Sequence, residues 1–232
     1  MRLLRAADRF LTRSDGMLTA HCFSFGAHFD PTNTGFGALI AFNDEHLGPG
    51  SGYDLHLHRD TEIVTWVVQG TLIHEDSTGR GNHVSAGSVQ RLTAGAGVRH
   101  AERNDSSGQP LRFVQMWLRP DMPGTVPTYA CHSPSVRTGG WTDVVGGSAP
   151  VGVGTSGATL RIARLGASDA VDLPVSARCH VFVATGSVDV AGLGRLHGGD
   201  SLRLGGESAR LTALGSAEVL AWELPDQDPA TT

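Results

Sequence analysis

The chain has 232 residues, 40% of them apolar, with 31 glycines, 11 prolines and a formal net charge of −5. That length buries a real core, while the acidic balance and the lack of any basic cluster exclude the footprint that nucleic acid or anionic lipid requires. Met1 to Gly16 is broken up by Arg2, Arg5, Asp8, Arg9, Arg13 and Asp15, so it reads as neither signal peptide nor membrane anchor, and a cytoplasmic location is expected.

In chain order, the first clear periodicity is Asp54 to His58, followed by Glu62 to Gln69 and Thr71 to Glu75, each run ended by glycine or by a Ser-Thr-Gly-Arg-Gly stretch. These predict strands and hairpins in an all-β chain. Ala86-Gly87-Ser88 turns into a strand over Val89 to Leu92, and Leu111 to Leu118 is another apolar strand. From about Asp121 to Gly157 the composition shifts to Pro, Gly, Ser and Thr, which suits a connection between two cores.

After that stretch the pattern repeats. Val67 to Thr71 resembles Val183 to Ser187, Ala86 to Val89 resembles Gly198 to Ser201, and Phe113 to Asp121 resembles Glu218 to Asp226. Two copies of one unit are expected, divided as 1–125, a linker at 126–157 and 158–232.

The chemistry-bearing residues lie in the first copy. His56 and His58 are one residue apart, so on a strand both imidazoles face one way while Leu55 and Leu57 face the other, and His100 and Glu102 repeat the spacing. Neighbouring strands aiming both pairs inward would gather three nitrogens and one carboxylate, a ligand set for Fe(II), Mn, Ni, Cu or Zn. The repeat is an internal control. The offsets that give His56, His58, His100 and Glu102 fall on Asp172, Pro174, Thr212 and Leu214 in the second copy, which therefore lacks the set.

The run His56-Leu-His-Arg59-Asp-Thr-Glu62, with Gly70, His74-Glu-Asp76, Gly87, Gln90, Thr93-Ala-Gly95, Gly97 and His100-Ala-Glu102, resembles the pirin family of bicupins. Phe23-Ser-Phe-Gly26, Phe29-Asp-Pro31, Gly35-Phe-Gly37 and Asn43-Asp44 fit the same family, and the likeness is dense through residue 120 and looser beyond. The resemblance implies two cupin (jelly-roll) β-barrels, with one iron in the first held by His56, His58, His100 and Glu102. It also implies either quercetin 2,3-dioxygenase activity on a small aromatic or enolate substrate with O2, or a non-catalytic, iron-dependent regulatory role through a protein partner. Ser88 departs from the Asp usual in that turn.

In the enzymatic reading Glu102 is also the catalytic base, leaving or shifting from the metal to accept a proton. A deep apolar cavity beside the metal would favour the enzyme, and a metal under charged loops the sensor.

Other residues carry open alternatives. Arg59 and Glu62 form either a pair supporting the imidazoles or a surface ion pair; His74 is expected to face solvent, with the pocket as the other option; Gln115 and Trp117 share a strand face opposite Met116. Phe23, Phe25 and Phe29 form a flap over the barrel or a staple between domains. Cys22, Cys131 and Cys179, odd in number and far apart, suggest neither disulfides nor a zinc knuckle. The absence of lysine is taken as the signature of a GC-rich, bacterial genome.

Overall fold

A computed structural model describes residues 1–226, whose regular elements are strands apart from one short 3-10 turn at Ala6–Asp8. In chain order the strands are β1 (Arg2–Leu4), β2 (Phe10–Ser14), β3 (Met17–His21), β4 (Leu39–Leu47), β5 (Gly52–His58), β6 (Glu62–Gln69) and β7 (Thr71–Asp76). Next come β8 (Gly81–Ser85), β9 (Val89–Thr93), β10 (Val98–Arg103), β11 (Leu111–Leu118), β12 (Thr128–His132), β13 (Gly140–Gly146) and β14 (Thr159–Leu165). The last seven are β15 (Ala170–Asp172), β16 (Arg178–Thr185), β17 (Ser187–Val190), β18 (Gly194–His197), β19 (Ser201–Leu204), β20 (Arg210–Ala213) and β21 (Ala217–Leu224).

The chain forms two units. In the N-terminal one, a seven-stranded sheet ordered β12-β9-β6-β11-β4-β3-β2 accompanies a four-stranded sheet ordered β5-β10-β7-β8. Side chains from both sheets meet in a core of Leu47, Val67, Leu72, Val84, Leu111 and Phe113, while Ile63, Leu92, Ala94 and Val98 form a second cluster. The other unit repeats the plan with sheets ordered β1-β19-β16-β21-β14-β13 and β15-β20-β17-β18. Its interior, including Val181, Val183, Val188, Leu196, Leu202 and Leu211, is apolar. Two antiparallel sheets around one core, repeated once, make the chain a bicupin.

The unit boundaries differ from those expected. The stretch expected to be a linker carries β12, which pairs with β9, and β13, which pairs with β14. Val153–Thr155 returns to the N-terminal unit, where Gly154 accepts a hydrogen bond from the Asp121 amide and the Thr155 hydroxyl donates to the Arg119 carbonyl. Met1–Arg9 belongs to the C-terminal unit, because β1 covers the edge of β19. Proline and glycine report turns, and short edge strands fit between them without a periodicity long enough to read. The end of the expected C-terminal domain, 227–232, lies outside the described residues.

The two matching turns show how each unit catches a flanking segment. Ser88, where an Asp is usual, meets the Ser133 hydroxyl at 2.7 Å. Asp200, its counterpart, accepts the Ala6 amide on Oδ1 and the Arg5 guanidinium on Oδ2, both at 2.8 Å. Deleting Met1–Arg9 would strip these partners from a nearly buried carboxylate and uncover β19. The expected cost to the C-terminal unit is about 2–3 kcal/mol, read as a lower midpoint in denaturant and faster amide exchange in β19.

Candidate metal centre

The site grows out of one row of side chains across the seven-stranded sheet. His21 on β3 is in register with Asn43 on β4, Asn43 with Gln115 on β11, Gln115 with Thr65 on β6, and Thr65 with Gln90 on β9. All five are buried. Along β6 the inward positions read Ile63, Thr65, Val67, so the polar row runs between the two apolar clusters. Buried polar groups are tolerated only when paired, and here they pair with one another and with the facing sheet.

On that facing sheet His100 of β10 lies opposite His56 of β5, and Glu102 lies between Tyr53 of β5 and His74 of β7. Two residues of β10 here match three of β5, a bulge that re-aims the β5 side chains, as bulges beside functional sites do. The carbonyl of Asp54 inside the bulge accepts Nδ1–H of His56 at 2.7 Å, leaving Nε2 with its lone pair. Leu55 and Leu57 face outward and are exposed.

The imidazoles of His56, His58 and His100 gather with ring centroids 4.5–4.9 Å apart. One donor atom from each lies within 4.8 Å of the others, and a second such group, His74, His100 and Glu102, shares His100. Glu102 lines the same cavity as His56 and His58. Burial, reinforced by the neighbouring imidazoles, pushes both His58 and His100 down to about 3, so these rings are neutral. Nε2 of His58 and both nitrogens of His100 are buried without a hydrogen bond. Neutral, orphaned imidazole nitrogens converging on one point are what a transition-metal cation satisfies, and with a carboxylate beside them the donor set fits a divalent ion.

Glu102 is held from both sides. Gln90 Nε2 donates to its Oε1 at 2.8 Å, and Gln115 Nε2 donates to its Oε2 at 2.6 Å. The indole N–H of Trp117, which can only donate, bonds Gln115 Oε1 at 3.0 Å and fixes that amide with its NH2 toward the carboxylate. Tyr129 donates to Gln90 Oε1 at 2.9 Å and does the same on the other side. Burial pushes the Glu102 carboxyl up, and the nearby imidazoles and these amides oppose it.

Beside the histidines opens a cavity of about 520 Å³ with a largely apolar wall. Phe25 stacks on His21 with centroids 5.0 Å apart and meets Trp117 edge-on at 5.1 Å, and Trp117 meets His58 edge-on at 4.9 Å. Thr12 and Asn43 hold the two nitrogens of His21. Glu45, Tyr53, His56 and Glu102 also line the cavity.

The remaining expectations divide. Gln115 and Trp117 face inward, and Gln115 touches Glu102 as described. Phe23 is core and Phe25 is cavity wall, whereas Phe29 is exposed and covers nothing. His74 does not face solvent: it is fully buried, stacked on Tyr129 at 4.6 Å, with Nε2 3.4 Å from Asp76. Arg59 and Glu62 do not form the expected pair. Glu62 is buried, accepts the Thr93 hydroxyl at 3.0 Å and lies 3.9 Å from the Arg91 guanidinium, while Arg59 is exposed. Glu62 starts β6 on the face opposite Ile63, Thr65 and Val67, where it meets Arg91 and Thr93 of β9.

Sequence reasoning does not single out Tyr129, Glu45 or Tyr53, and reaches Gln90 only through the family pattern. Tyr129 sits on a strand hidden in the expected linker. The signal for the others was a polar residue at the inward position of an apolar strand.

An all-β bicupin with clustered histidines and a nearby glutamate in one unit defines a class of metal-binding proteins, and similarity to known proteins narrows it. Residues 4–118 match the Pirin family model. A Mycobacterium tuberculosis protein named "Putative quercetin 2,3-dioxygenase" is 42% identical over 97% of this chain and 95% of its own length. The Escherichia coli K12 quercetin 2,3-dioxygenase is 41% identical over 56% of each chain. The crystal structure of the Escherichia coli bacterial pirin YhhW in complex with nickel(II) superposes with a TM-score of 0.88 at 30% identity, covering 97% of this chain and 98% of that one. The chain belongs to the pirin family. No described helix is long and apolar enough to cross a membrane.

The cavity carboxyl has a measurable cost. Burial pushes Glu45 from 4.5 up to about 7, opposed by hydrogen bonds from Thr19 and Tyr53 and reinforced by the charges of Glu102 and Asp44. A raised folded-state pKa means that the stability is complete below the unfolded value of about 4.3 and declines as pH rises toward 7. Metal-free Glu45→Gln, which does not titrate, is therefore expected to match wild type near pH 4 and exceed it at pH 8 by on the order of 3 kcal/mol. Chemical denaturation at the two pH values measures the difference.

Proposed function

We propose that His56, His58, His100 and Glu102 hold one divalent metal, natively iron(II), and that the protein is a dioxygenase opening a flavonol-like ring with O2. Nickel in a related bacterial pirin supports a divalent metal in this family, and Mn, Cu or Zn satisfy the same donors. The observation that carries the reading is the set of neutral, orphaned imidazole nitrogens opening onto an aromatic-walled cavity. That cavity also favours the enzyme over a sensor working through a protein partner. The relatives named as quercetin 2,3-dioxygenases support the substrate class.

A metal bound there supplies positive charge that favours the ionised form of a hydroxyl-bearing ligand and open positions for small oxygen ligands. The protein's residues do the rest. Trp117, Phe25 and the His21 ring offer faces and edges to a flat aromatic substrate and keep water from it. Gln90 and Gln115, fixed by Tyr129 and Trp117, hold Glu102 in one orientation. Moving that carboxylate off its place breaks two short hydrogen bonds, so its role is to bind and orient, which replaces the mobile base expected of it from the sequence.

Gln115→Leu or Gln90→Leu is expected to weaken metal affinity about 10- to 100-fold, the usual effect of losing a group that orients a ligand. Competition with a chromophoric chelator measures this. With iron restored, O2 uptake with quercetin is expected in wild type and at least about 100-fold less in His100→Ala and Glu102→Gln. Equal uptake in all three at matched metal content overturns catalysis at this centre.

A further inference from the structure

The cavity wall carries a second carboxyl that the proposed metal ligands do not use. Glu45 is 3% exposed on β4 and faces the cavity beside His56, His58 and Trp117. Thr19 donates to its Oε2 at 2.5 Å and Tyr53 donates to the same oxygen at 2.6 Å. Both hydroxyls engage one oxygen, so the carboxyl is fixed and its Oε1 is the atom left to exchange a proton. Glu102 is differently placed, since each of its oxygens accepts an amide N–H.

We propose that Glu45 is the proton acceptor of this cavity: when a ligand with an enol or phenol hydroxyl binds beside His56 and His58, its O–H bond breaks heterolytically, the electron pair stays on the ligand oxygen and the proton moves to Glu45 Oε1. This rests on the flavonol reading of the site. The step conserves charge, and it lets a buried cavity hold one negative charge, on the ligand, instead of two side by side. The other ionisable groups lining the cavity with Glu45 are His21 from β3, Tyr53, Asp54, His56 and His58 from β5, and Glu102 from β10. Asp44, next to it on β4, is engaged by the Arg112 guanidinium with two bonds of 2.9 Å. Burial brings the Glu45 carboxyl to about 7, poised to gain and lose a proton near neutral pH. Tyr53 and Thr19 are positioning residues, and their bonds to Oε2 favour the anion.

The test counts protons and needs no turnover. Zinc-loaded protein, which is redox-inert, is titrated anaerobically with quercetin by calorimetry in buffers of different ionisation enthalpy, while absorbance follows the bound flavonolate. At pH 8 wild type is expected to release about one proton fewer per bound flavonolate than Glu45→Gln, because Glu45 keeps it. At acid pH, where Glu45 is already protonated, the two release the same number. Tyr53→Phe, which folds with one fewer bond to the carboxylate, is expected to move the crossover to higher pH, and it serves if Glu45→Gln is unstable. Equal proton counts at every pH in wild type and Glu45→Gln, or an unmoved crossover in Tyr53→Phe, overturn the assignment while leaving the flavonol reading intact. Wild type that binds no quercetin overturns that reading, and this inference with it.

Discussion

The constraint on which the site depends is a carboxylate kept in one orientation inside a β-barrel. Glu102 is 1% exposed, and water cannot solvate it. Its charge is supported instead by two amides, and each amide is fixed by a further donor, Trp117 or Tyr129. A half-satisfied network of this kind is worse than an apolar core, which is why the residues form a connected row from β3 to β9. The same row backs the cavity, with His21 and Asn43 at one end, so the support of Glu102 and the cavity wall come from one structural device.

The second unit shows what happens when that device is absent. In matching register, Gln90, Thr65 and Gln115 of the first unit are replaced by Leu202, Val181 and Ala221, all fully buried. A lone polar residue left in such a row would forfeit its partner at a cost of about 1–3 kcal/mol. Among the described residues, both groups of three or more close donor side chains lie in the N-terminal unit. Asp172, Pro174, Thr212 and Leu214, which stand where the first unit has the proposed ligands, therefore go with a repacked interior and not only with four substitutions.

Much of this was legible in the sequence for physical reasons. The period-2 runs at Glu62 to Gln69 and Leu111 to Leu118 became β6 and β11 with those bounds, because long central strands carry apolar residues on both faces and end at glycine or proline. The His-x-His and His-x-Glu spacings brought their side chains to one face because strand alternation demands it. What escaped were features set by tertiary pairing. β1 and β12 are short edges with no period of their own, and His74 is buried only because β10 and Tyr129 cover it. Glu62 and Arg59 are close in sequence, yet one is buried on β6 beside Arg91 and Thr93 and the other lies exposed before that strand. Glu45 lies in a run, Phe42-Asn-Asp-Glu-His46, that gives no sign of which acidic residue faces the cavity and which meets Arg112.

The two donor groups that share His100 offer a metal two alternative seats, which one direct observation distinguishes. Crystals of the iron-loaded protein, measured on both sides of the iron absorption edge, locate the metal without reference to activity. One anomalous peak per chain is expected, within bonding distance of His56, His58, His100 and Glu102. A peak bound by His74, His100 and Glu102 with His56 and His58 unengaged, or a peak in the C-terminal unit, would contradict it.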